Sequence, residues 1–161
     1  MRHGGFIHKK SLTPDVVTVL ETQVDDMPGE ALGYLMERLL EAGALDVFYI
    51  PVYMKKNRPG TLVTVLCTPE RQGDITALLF AESTTLGVRV RQTQRVVLPR
   101  RFDSVTVHGQ TIRVKVAILP QGERRMPEYE DCKRAALACG LPLADIMDAA
   151  RIQPCETECG V

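Results

Sequence analysis

The sequence predicts an α+β protein, a ferredoxin-like split βαβ sandwich followed by a β-hairpin and a helical C-terminal unit. Alternating or β-branched apolar stretches indicate strands, and apolar residues three or four positions apart indicate helices. Through the first hundred residues these patterns occur in the order strand, helix, strand, strand, helix, strand. Short connections and right-handed crossovers fold that order most simply into a ferredoxin-like sandwich.

The first half of this domain is predicted from four consecutive segments. The β-branched, alternating VVTVLETQVDD indicates a strand. Apolar residues then recur at helical spacing behind Pro28, which suits a first helical turn, and Gly43 ends the helix. The segment LDVFYIPVYM indicates a second strand, and after KKNRPG the segment TLVTVLC indicates a third.

The remaining elements follow the same reasoning. A cap, a first-turn proline and a first-turn acid in TPE predict a helix through ERQGDITALLFAES. A fourth strand, VRVRQTQRVVL, is expected from Val88. Beyond Pro99, SVTV and TIRVKVAIL flank HGQ as a hairpin, and EYEDCKRAALACG indicates a helix. A short helix is expected from Pro142.

These elements divide the chain into four predicted parts. We expect a flexible leader at residues 1–15, a ferredoxin-like domain at 16–100, the hairpin with its helices at 101–152, and a tail at 153–161. A chain of 161 residues can bury a core as one domain of usual size or as two small ones.

Composition restricts the classes of function. Twenty basic residues balance twenty acidic ones, so no global field recruits nucleic acid or an anionic membrane, and neither partner is expected. An anion site must therefore arise from local clustering. No apolar stretch reaches the roughly 18 residues of a spanning helix, and the start lacks the apolar centre of a secretory signal. A cytoplasmic location is expected.

The five cysteines show no disulfide or zinc pattern. They are odd in number and scattered, and no CxxC pair occurs. Cys155 and Cys159 in the tail could bind a soft metal, but no histidine is near in the sequence. We interpret them as structural or incidental.

Positive charge is concentrated in YMKKNRPG, between the second and third predicted strands. Lys55, Lys56 and Arg58 fall within four positions, and the following PG is expected to tighten the turn that holds them. The cluster is either a solvated hairpin tip or an anion clamp. In a clamp, lysines supply point charges, arginine supplies a planar fork for phosphate oxygens, and Asn57 supplies another donor.

Hydroxyl groups and carboxylates could complete such a site. Ser83, Thr84 and Thr85 in STTLG can contact phosphate or can simply end the second helix. Asp25 and Asp26 close the first strand, where they can cap the next helix or hold Mg²⁺ or Mn²⁺ together with substrate phosphates.

A second acidic group lies in PEYED, at the start of a predicted helix. Glu128, Glu130 and Asp131 are either helix-start acids, or metal ligands or a general base.

Strand alternation sorts side chains into two faces of the sheet. On the second strand one set is continuously apolar and is predicted to be core, namely Phe48, Ile50, Val52 and Met54. The alternate set is predicted to lie on the open face, namely Val47, Tyr49, Pro51, Tyr53 and Lys55. If the polar sides of the strands coincide, tyrosine rings would share one surface with Arg89, Arg91 and Lys115, near Asp25. The alternative is that these cations only solvate an exposed sheet.

Four blocks of the chain carry a resemblance to a known family, namely VDDMPGEALGYLMERLLEAGALDVFYIPVYMKKNRPGTLVTVLC, ESTTLGVRVR, IRVKVA and MPEYEDCKRAALACGLPL. In this order they closely resemble the C-terminal region of the LarC family of nickel-insertion proteins. The resemblance implies a CTP-dependent nickel chelatase, a cyclometallase of the lyase class. Such an enzyme inserts nickel into pyridinium-3,5-bisthiocarboxylic acid mononucleotide through a cytidylylated intermediate, making the nickel-pincer cofactor of lactate racemase.

The resemblance also implies ligands and partners. CTP is expected to bind with Mg²⁺ or Mn²⁺, and nickel is expected to be held by the soft donors of the substrate itself. The mononucleotide substrate and the family's N-terminal region are expected partners. We also expect a homo-oligomer.

On this basis we assign roles to particular residues. The expected catalytic residues are Lys55, Arg58 and Glu128. The expected CTP-binding residues are Tyr53, Lys55, Lys56, Asn57, Arg58, Ser83, Thr84, Thr85, Arg89, Arg91 and Lys115. The expected metal ligands are Asp25, Asp26, Glu128 and Glu130.

Two other functions stay open at this point. A single-stranded RNA-binding module would use an open sheet face and surface tyrosines to stack bases, although no RNP-type string is present and aromatic residues total only 5%. A noncatalytic oligomerisation domain would pair such sheets between subunits.

Overall fold

The computed structural model describes residues 13–154. They fall into two compact units, one spanning Pro14–Val96 and the other containing the described residues from Val97 onward. Residues 1–12 of the predicted leader, and Cys155 and Cys159 of the tail, lie outside the described residues. Across residues 13–154, no helix combines the length and the apolar character that membrane crossing requires.

The first unit contains the predicted order of four strands and two helices. The elements are β1 (Thr13–Val24), α1 (Gly29–Glu41), β2 (Asp46–Met54), β3 (Arg58–Cys67), α2 (Gln72–Glu82) and β4 (Arg89–Val97). Their sheet order is β2-β3-β1-β4, and β3 runs antiparallel to both β1 and β2. This order confirms the predicted ferredoxin-like fold. Three residues assigned to the leader, 13–15, begin β1 instead.

The core of this unit lies between one face of the sheet and the two helices. Each helix buries two side chains four positions apart, which places them one turn above the other on the same helix face. These side chains are Leu35 and Leu39 of α1, and Ile75 and Leu79 of α2. They pack with inward residues of the strands, including Leu20, Val24, Val63 and Val65. Each fully buried leucine or isoleucine stabilises the fold by about 1.5–3 kcal/mol.

The predicted faces of β2 are wrong. Val47 is buried and lies opposite Val65, and the next inward residue, Tyr49, packs on the helix-facing core. The Tyr49 hydroxyl donates to the carbonyl oxygen of Leu32 in α1 at 2.6 Å, so this ring faces inward while its polar end stays paired. Phe48 and Ile50 lie on the open face, with 39% and 45% of their surface exposed.

The second unit has three strands and two helices. They are β5 (Arg100–Val107), β6 (Gln110–Leu119), β7 (Gly122–Pro127), α3 (Tyr129–Cys139) and α4 (Leu143–Ile152), and the sheet order is β5-β6-β7. The predicted hairpin turns at His108 and Gly109, whose positive φ angles of 48° and 74° suit a two-residue turn. Strand β7 was not predicted, because GERRMP has little apolar alternation.

Candidate functional site

Three connections of the first unit meet at one end of its sheet. Strands β1 and β2 both run antiparallel to β3, so their C-terminal ends lie at the same end of the sheet. Helix α2 follows β3 and runs back toward that end, where side chains of the loop after α2 contact Thr22 of β1 and Asp26. We call this region the loop end and define it by residues 25–28, 55–57 and 83–88. Most of the residues expected to bind CTP or the metal lie in or beside it.

The cationic hairpin has a shorter turn than predicted. Met54 pairs with Arg58, so Lys55–Asn57 form the connection, and the following Pro59 and Gly60 belong to β3. The sequence prediction that the PG pair tightens the turn is therefore wrong. Lys56 and Asn57 adopt left-handed backbone conformations, with φ of 59° and 58°. This conformation costs a residue such as Lys56 about 1–2 kcal/mol, whereas asparagine adopts it more readily.

Gly60 allows a close approach of β3 to the end of β1. A Cβ atom on Gly60 would lie 2.8 Å from the carbonyl oxygen of Val24 and 2.7 Å from the sulfur of Met54. The methionine side chain can move, but the backbone carbonyl cannot move without shifting β1. Glycine at this position therefore permits the close approach of β3 to Val24, the residue before Asp25.

The three cations of the hairpin differ in their partners among the described residues: Arg58 is paired with a carboxylate, and the two lysines are not. Nη1 of Arg58 lies 3.3 Å from Oδ2 of Asp25, and the two side chains are 59% and 21% exposed. Lys55 and Lys56 are exposed and form no ion pair with any residue in the range 13–154. The hairpin therefore presents two uncompensated ammonium groups beside an arginine that is held by a carboxylate.

The loop after α2 ends the helix, which is one of the two roles that the sequence left open, and its phosphate contact stays a prediction. The Ser83 hydroxyl donates to the carbonyl of Leu79 at 2.5 Å, which ends the helix. The next residue, Thr84, donates its hydroxyl hydrogen bond to Oδ1 of Asp26. This contact joins the loop after α2 to the loop after β1, so the two aspartates are held by two different segments.

Thr22 and Thr85 form a second link between this loop and β1. Their hydroxyl oxygens are hydrogen-bonded to each other, and both lie within bonding distance of the Gly87 carbonyl, at 3.0 Å and 2.9 Å. Sequence reasoning missed Thr22. A polar residue at an inward position of a strand, between Leu20 and Val24, was the signal that could have found it.

Arg89 and Arg91 lie on the opposite face of the sheet from Tyr49. Arg89 donates to Oε1 of Gln23 at 2.8 Å, and Arg91 donates to both carboxylate oxygens of Glu21 at 2.9 and 3.1 Å. Tyr53 lies opposite Pro59 of β3 and is 76% exposed. The predicted surface with tyrosine rings beside these arginines is therefore wrong, because β2 and β4 are the two opposite edge strands and Tyr49 faces the helices.

The remaining predicted residues belong to the second unit, and their described contacts lie within it. Nζ of Lys115 lies 3.1 Å from Oε1 of Glu128 and 5.6 Å from the ring centre of Phe102. Glu130 pairs with Lys133 at 3.7 Å. Lys115 therefore belongs to the second unit, and its predicted contact with the nucleotide stays a prediction.

One carboxylate of this unit is buried and fully engaged. Asp131 accepts from Nε of Arg113 at 2.7 Å, from the Arg113 backbone N–H at 3.1 Å, and from Arg134 at 3.0 Å. The hydrogen bond from the Arg113 guanidinium is the main cause that lowers the pKa of Asp131 to about 2. The arrangement ties the start of α3 to β6, and we interpret it as structural.

The carboxylates at the loop end fit a divalent cation that binds together with a phosphate-bearing ligand better than they fit a permanently bound metal ion. The described range, 13–154, contains no group of three or more histidines, cysteines or acids placed to hold a metal. Asp25 and Asp26 supply at most two carboxylates at the loop end. Mg²⁺ is commonly bound by one or two carboxylates, several waters and substrate phosphates, which is the set that this site can provide.

A shallow depression adjoins the hairpin. Its volume is about 480 Å³, and it is lined by Gln23, Val52, Tyr53, Met54 and Lys55. This volume falls within the range of small-molecule sites. A ligand ring could occupy the depression while an attached anionic chain reaches the lysines.

Comparison with known proteins adds the following findings. Residues 5–147 match the family described as nickel insertion protein. A pyridinium-3,5-bisthiocarboxylic acid mononucleotide nickel insertion protein of Acetivibrio thermocellus is 46% identical over 145 residues, which are 90% of this chain and 36% of that relative. A putative nickel insertion protein of Synechocystis is 49% identical over 133 residues, covering 80% of this chain and 32% of the relative. The chain spans about a third of the length of these relatives.

Two solved structures share the fold. LarC2, the C-terminal domain of a cyclometallase involved in the synthesis of the NPN cofactor of lactate racemase, matches with a TM-score of 0.79 and 41% identity. The match covers 88% of this chain and 98% of that domain. A protein of Methanopyrus kandleri matches with a TM-score of 0.60 and 25% identity, over 87% of this chain and 88% of that one.

Proposed function

The chain belongs to the nickel insertion protein family, and from this premise we propose that it is the nucleotide-binding, catalytic C-terminal part of a CTP-dependent nickel insertase. The proposed substrate is pyridinium-3,5-bisthiocarboxylic acid mononucleotide, and the product is the nickel-pincer cofactor of lactate racemase. The observation that supports this proposal most is the meeting of cations, carboxylates and hydroxyls at the loop end. They come from three connections that are far apart in the sequence.

The phosphates of CTP are proposed to bind at the cationic hairpin. Lys55 and Lys56 have no ion pair within residues 13–154, so a phosphate chain can approach them without displacing an acid. Arg58 can exchange its contact with Asp25 for a phosphate, since both side chains reach solvent. Hydrogen bonds to charged groups typically contribute about 1.5–3 kcal/mol each, so three cations suffice for a triphosphate.

Asp25 and Asp26 would hold Mg²⁺ or Mn²⁺ beside the phosphates. When bound, the metal would neutralise charge on the triphosphate and so favour nucleophilic attack at phosphorus. Thr84 keeps Asp26 in place through its hydroxyl, and Arg58 does the same for Asp25. The protein thus holds both carboxylates before the ligand arrives.

The proposed reaction is a nucleotidyl transfer followed by nickel insertion. A nucleophilic group of the substrate attacks the α-phosphorus of CTP, the bond to pyrophosphate breaks, and CMP remains attached to the substrate. Lys55 and Arg58 stabilise the negative charge that develops on the leaving pyrophosphate. Nickel then enters as a substrate and binds to the soft sulfur donors of the activated molecule, and the bond between CMP and the substrate is cleaved by water, so that CMP is released.

Other expected features remain proposals of the same scheme. Glu128 is proposed as a general base, and Glu130 as a further ligand of the metal. Lys115, Arg89 and Arg91 are proposed to contact the nucleotide. The family's N-terminal region is proposed to act together with this part in the cytoplasm.

Calorimetry with CTP and Mn²⁺ tests the proposal directly. The parent protein should bind saturably, and Lys55→Ala and Arg58→Ala should each weaken binding by roughly tenfold or more. Arg151→Ala is the control, because Arg151 is an exposed cation of the second unit that pairs with Asp148 on its own helix, and neither residue has a proposed role in the site. Unchanged affinity in both hairpin variants would refute this placement of the phosphates.

The open sheet face supports a second, compatible proposal that the chain forms homo-oligomers. Phe48 and Ile50 are exposed there on the edge strand β2, and Arg91 and Arg89 on the opposite edge strand β4 are already paired with Glu21 and Gln23. A second copy could cover the apolar part without burying an unpaired charge. Light scattering should show a mass above one chain, which Ile50→Asp should lower. The same pairing of the arginines leaves little reason to favour RNA on this face.

A further inference from the structure

The loop that carries Thr84 and Thr85 depends on a buried hydroxyl of β1. Thr22 is 2% exposed and lies on the helix-facing side of the strand, opposite Val63. Its hydroxyl contacts Thr85 and Gly87, which lie 63 and 65 residues further along the chain. A buried hydroxyl is costly unless it is hydrogen-bonded, so these contacts restrict where the loop can lie.

Counting hydrogens shows what Thr22 alone contributes. The two threonine hydroxyls have one hydrogen each, and three oxygen acceptors are within reach, namely the two hydroxyl oxygens and the Gly87 carbonyl. Without the Thr22 hydroxyl, Thr85 could still donate to Gly87 within the loop at 2.9 Å. The local turn would survive, but its link to β1 would be lost.

We infer that Thr22 is a positioning residue of the proposed metal–nucleotide site. This inference rests on the proposed function. By fixing Thr85 and Gly87 to β1, Thr22 sets the position of Thr84, and Thr84 holds Asp26. Thr22 itself touches no ligand, since it is buried beneath the loop.

The same strand supplies a matched control. Thr18 lies four residues, or two strand repeats, earlier on the same face and is fully buried. Its hydroxyl has no hydrogen-bond partner among the described residues. Thr18→Val and Thr22→Val therefore make the same chemical change at two equally buried positions, but only the second removes a contact with the loop.

Two measurements test the inference. Hydrogen–deuterium exchange of the peptide covering residues 83–88 should become faster in Thr22→Val, and remain at the parent rate in Thr18→Val and Thr22→Ser. Calorimetry with CTP and Mn²⁺ should show affinity roughly threefold to tenfold weaker in Thr22→Val, with near-parent affinity in the other two variants. Recovery by serine would show that the hydroxyl matters and not the shape of the side chain.

Several results would overturn the inference. Equal exchange in all variants would mean that Thr22 does not hold the loop. Faster exchange with unchanged affinity would mean that the loop position does not matter for binding, and an equal loss in Thr18→Val would indicate a general packing defect. If the parent protein binds no CTP with Mn²⁺, the proposed function itself fails. The exchange comparison then still decides, separately, whether Thr22 tethers the loop.

Discussion

The ion pair between Arg58 and Asp25 predicts that a single substitution changes nucleotide affinity in opposite directions with and without metal. Asp25→Asn removes one negative charge and keeps the size of the side chain. Without metal, Asp25 repels the triphosphate and competes for Arg58. With metal, Asp25 is a proposed ligand. The substitution should therefore strengthen the binding of metal-free CTP and weaken the binding of CTP together with the metal.

The magnitude of the metal-free effect follows from the geometry. Two unit charges at the observed 3.3 Å interact by about 1 kcal/mol in bulk water. Exposed ion pairs typically contribute only about 0.2–1 kcal/mol after screening and side-chain ordering, and the Arg58 side chain is 59% exposed. We therefore expect Asp25→Asn to strengthen metal-free CTP binding by roughly twofold to fivefold. With Mn²⁺, loss of a carboxylate ligand should weaken binding by roughly tenfold.

Calorimetry in two series measures both effects, one with a chelator and one with saturating Mn²⁺. Asp74→Asn is a suitable control, because Asp74 is an exposed carboxylate that pairs with Arg71 at 3.5 Å within the start of α2. It should leave both affinities unchanged. A shift in the same direction in both series would refute the reasoning, since one charge could not then serve both as competitor and as metal ligand.

Two further predictions concern the supports of the site and the second unit. Gly60→Ala should lower the free energy of unfolding by about 1–3 kcal/mol in urea unfolding, because the new Cβ would lie 2.8 Å from the Val24 carbonyl oxygen. It should also weaken CTP binding. Unchanged stability would show that β1 can shift to make room for the Cβ. The folded pKa of Asp131, about 2, lies below its usual value near 4. Its contribution, on the order of 2 kcal/mol, should be complete above pH 4 and lost as pH falls towards 2. Asp131→Asn should remove this pH-dependent part of the stability. If stability falls with pH in the same way in Asp131→Asn and in the parent protein, the lowered pKa does not belong to Asp131.

Much of the fold could be predicted because its signals are local. Helical spacing placed Leu35 and Leu39 of α1 on one buried face, and the HGQ segment correctly marked the β5–β6 turn. Strand β7 was missed because its charged residues lack alternation, and it is recognised only by pairing with β6. The faces of β2 were reversed because both sets of alternate residues contain apolar and aromatic side chains.

The candidate site was predictable only in part, for a related reason. Lys55, Lys56 and Arg58 are neighbours in the sequence, so their clustering was visible without a structure. It was not visible that Arg58, unlike the two lysines, is paired with an acid within the described part of the chain, because that acid is Asp25, which lies 33 residues earlier. Thr22 gave only a weak signal as a polar residue in an apolar pattern.

The sequence by itself determined the order of the elements and the concentration of charge at the hairpin, since periodicity, capping and charge spacing are properties of neighbouring residues. Only the tertiary structure decided which side of β2 is buried, which acid holds Arg58 and which hydroxyl anchors the loop after α2. The physical reason is that a strand's alternation permits two opposite orientations. Contacts between segments tens of residues apart, such as the Tyr49 hydroxyl on Leu32 and Thr22 on Thr85, select one of them.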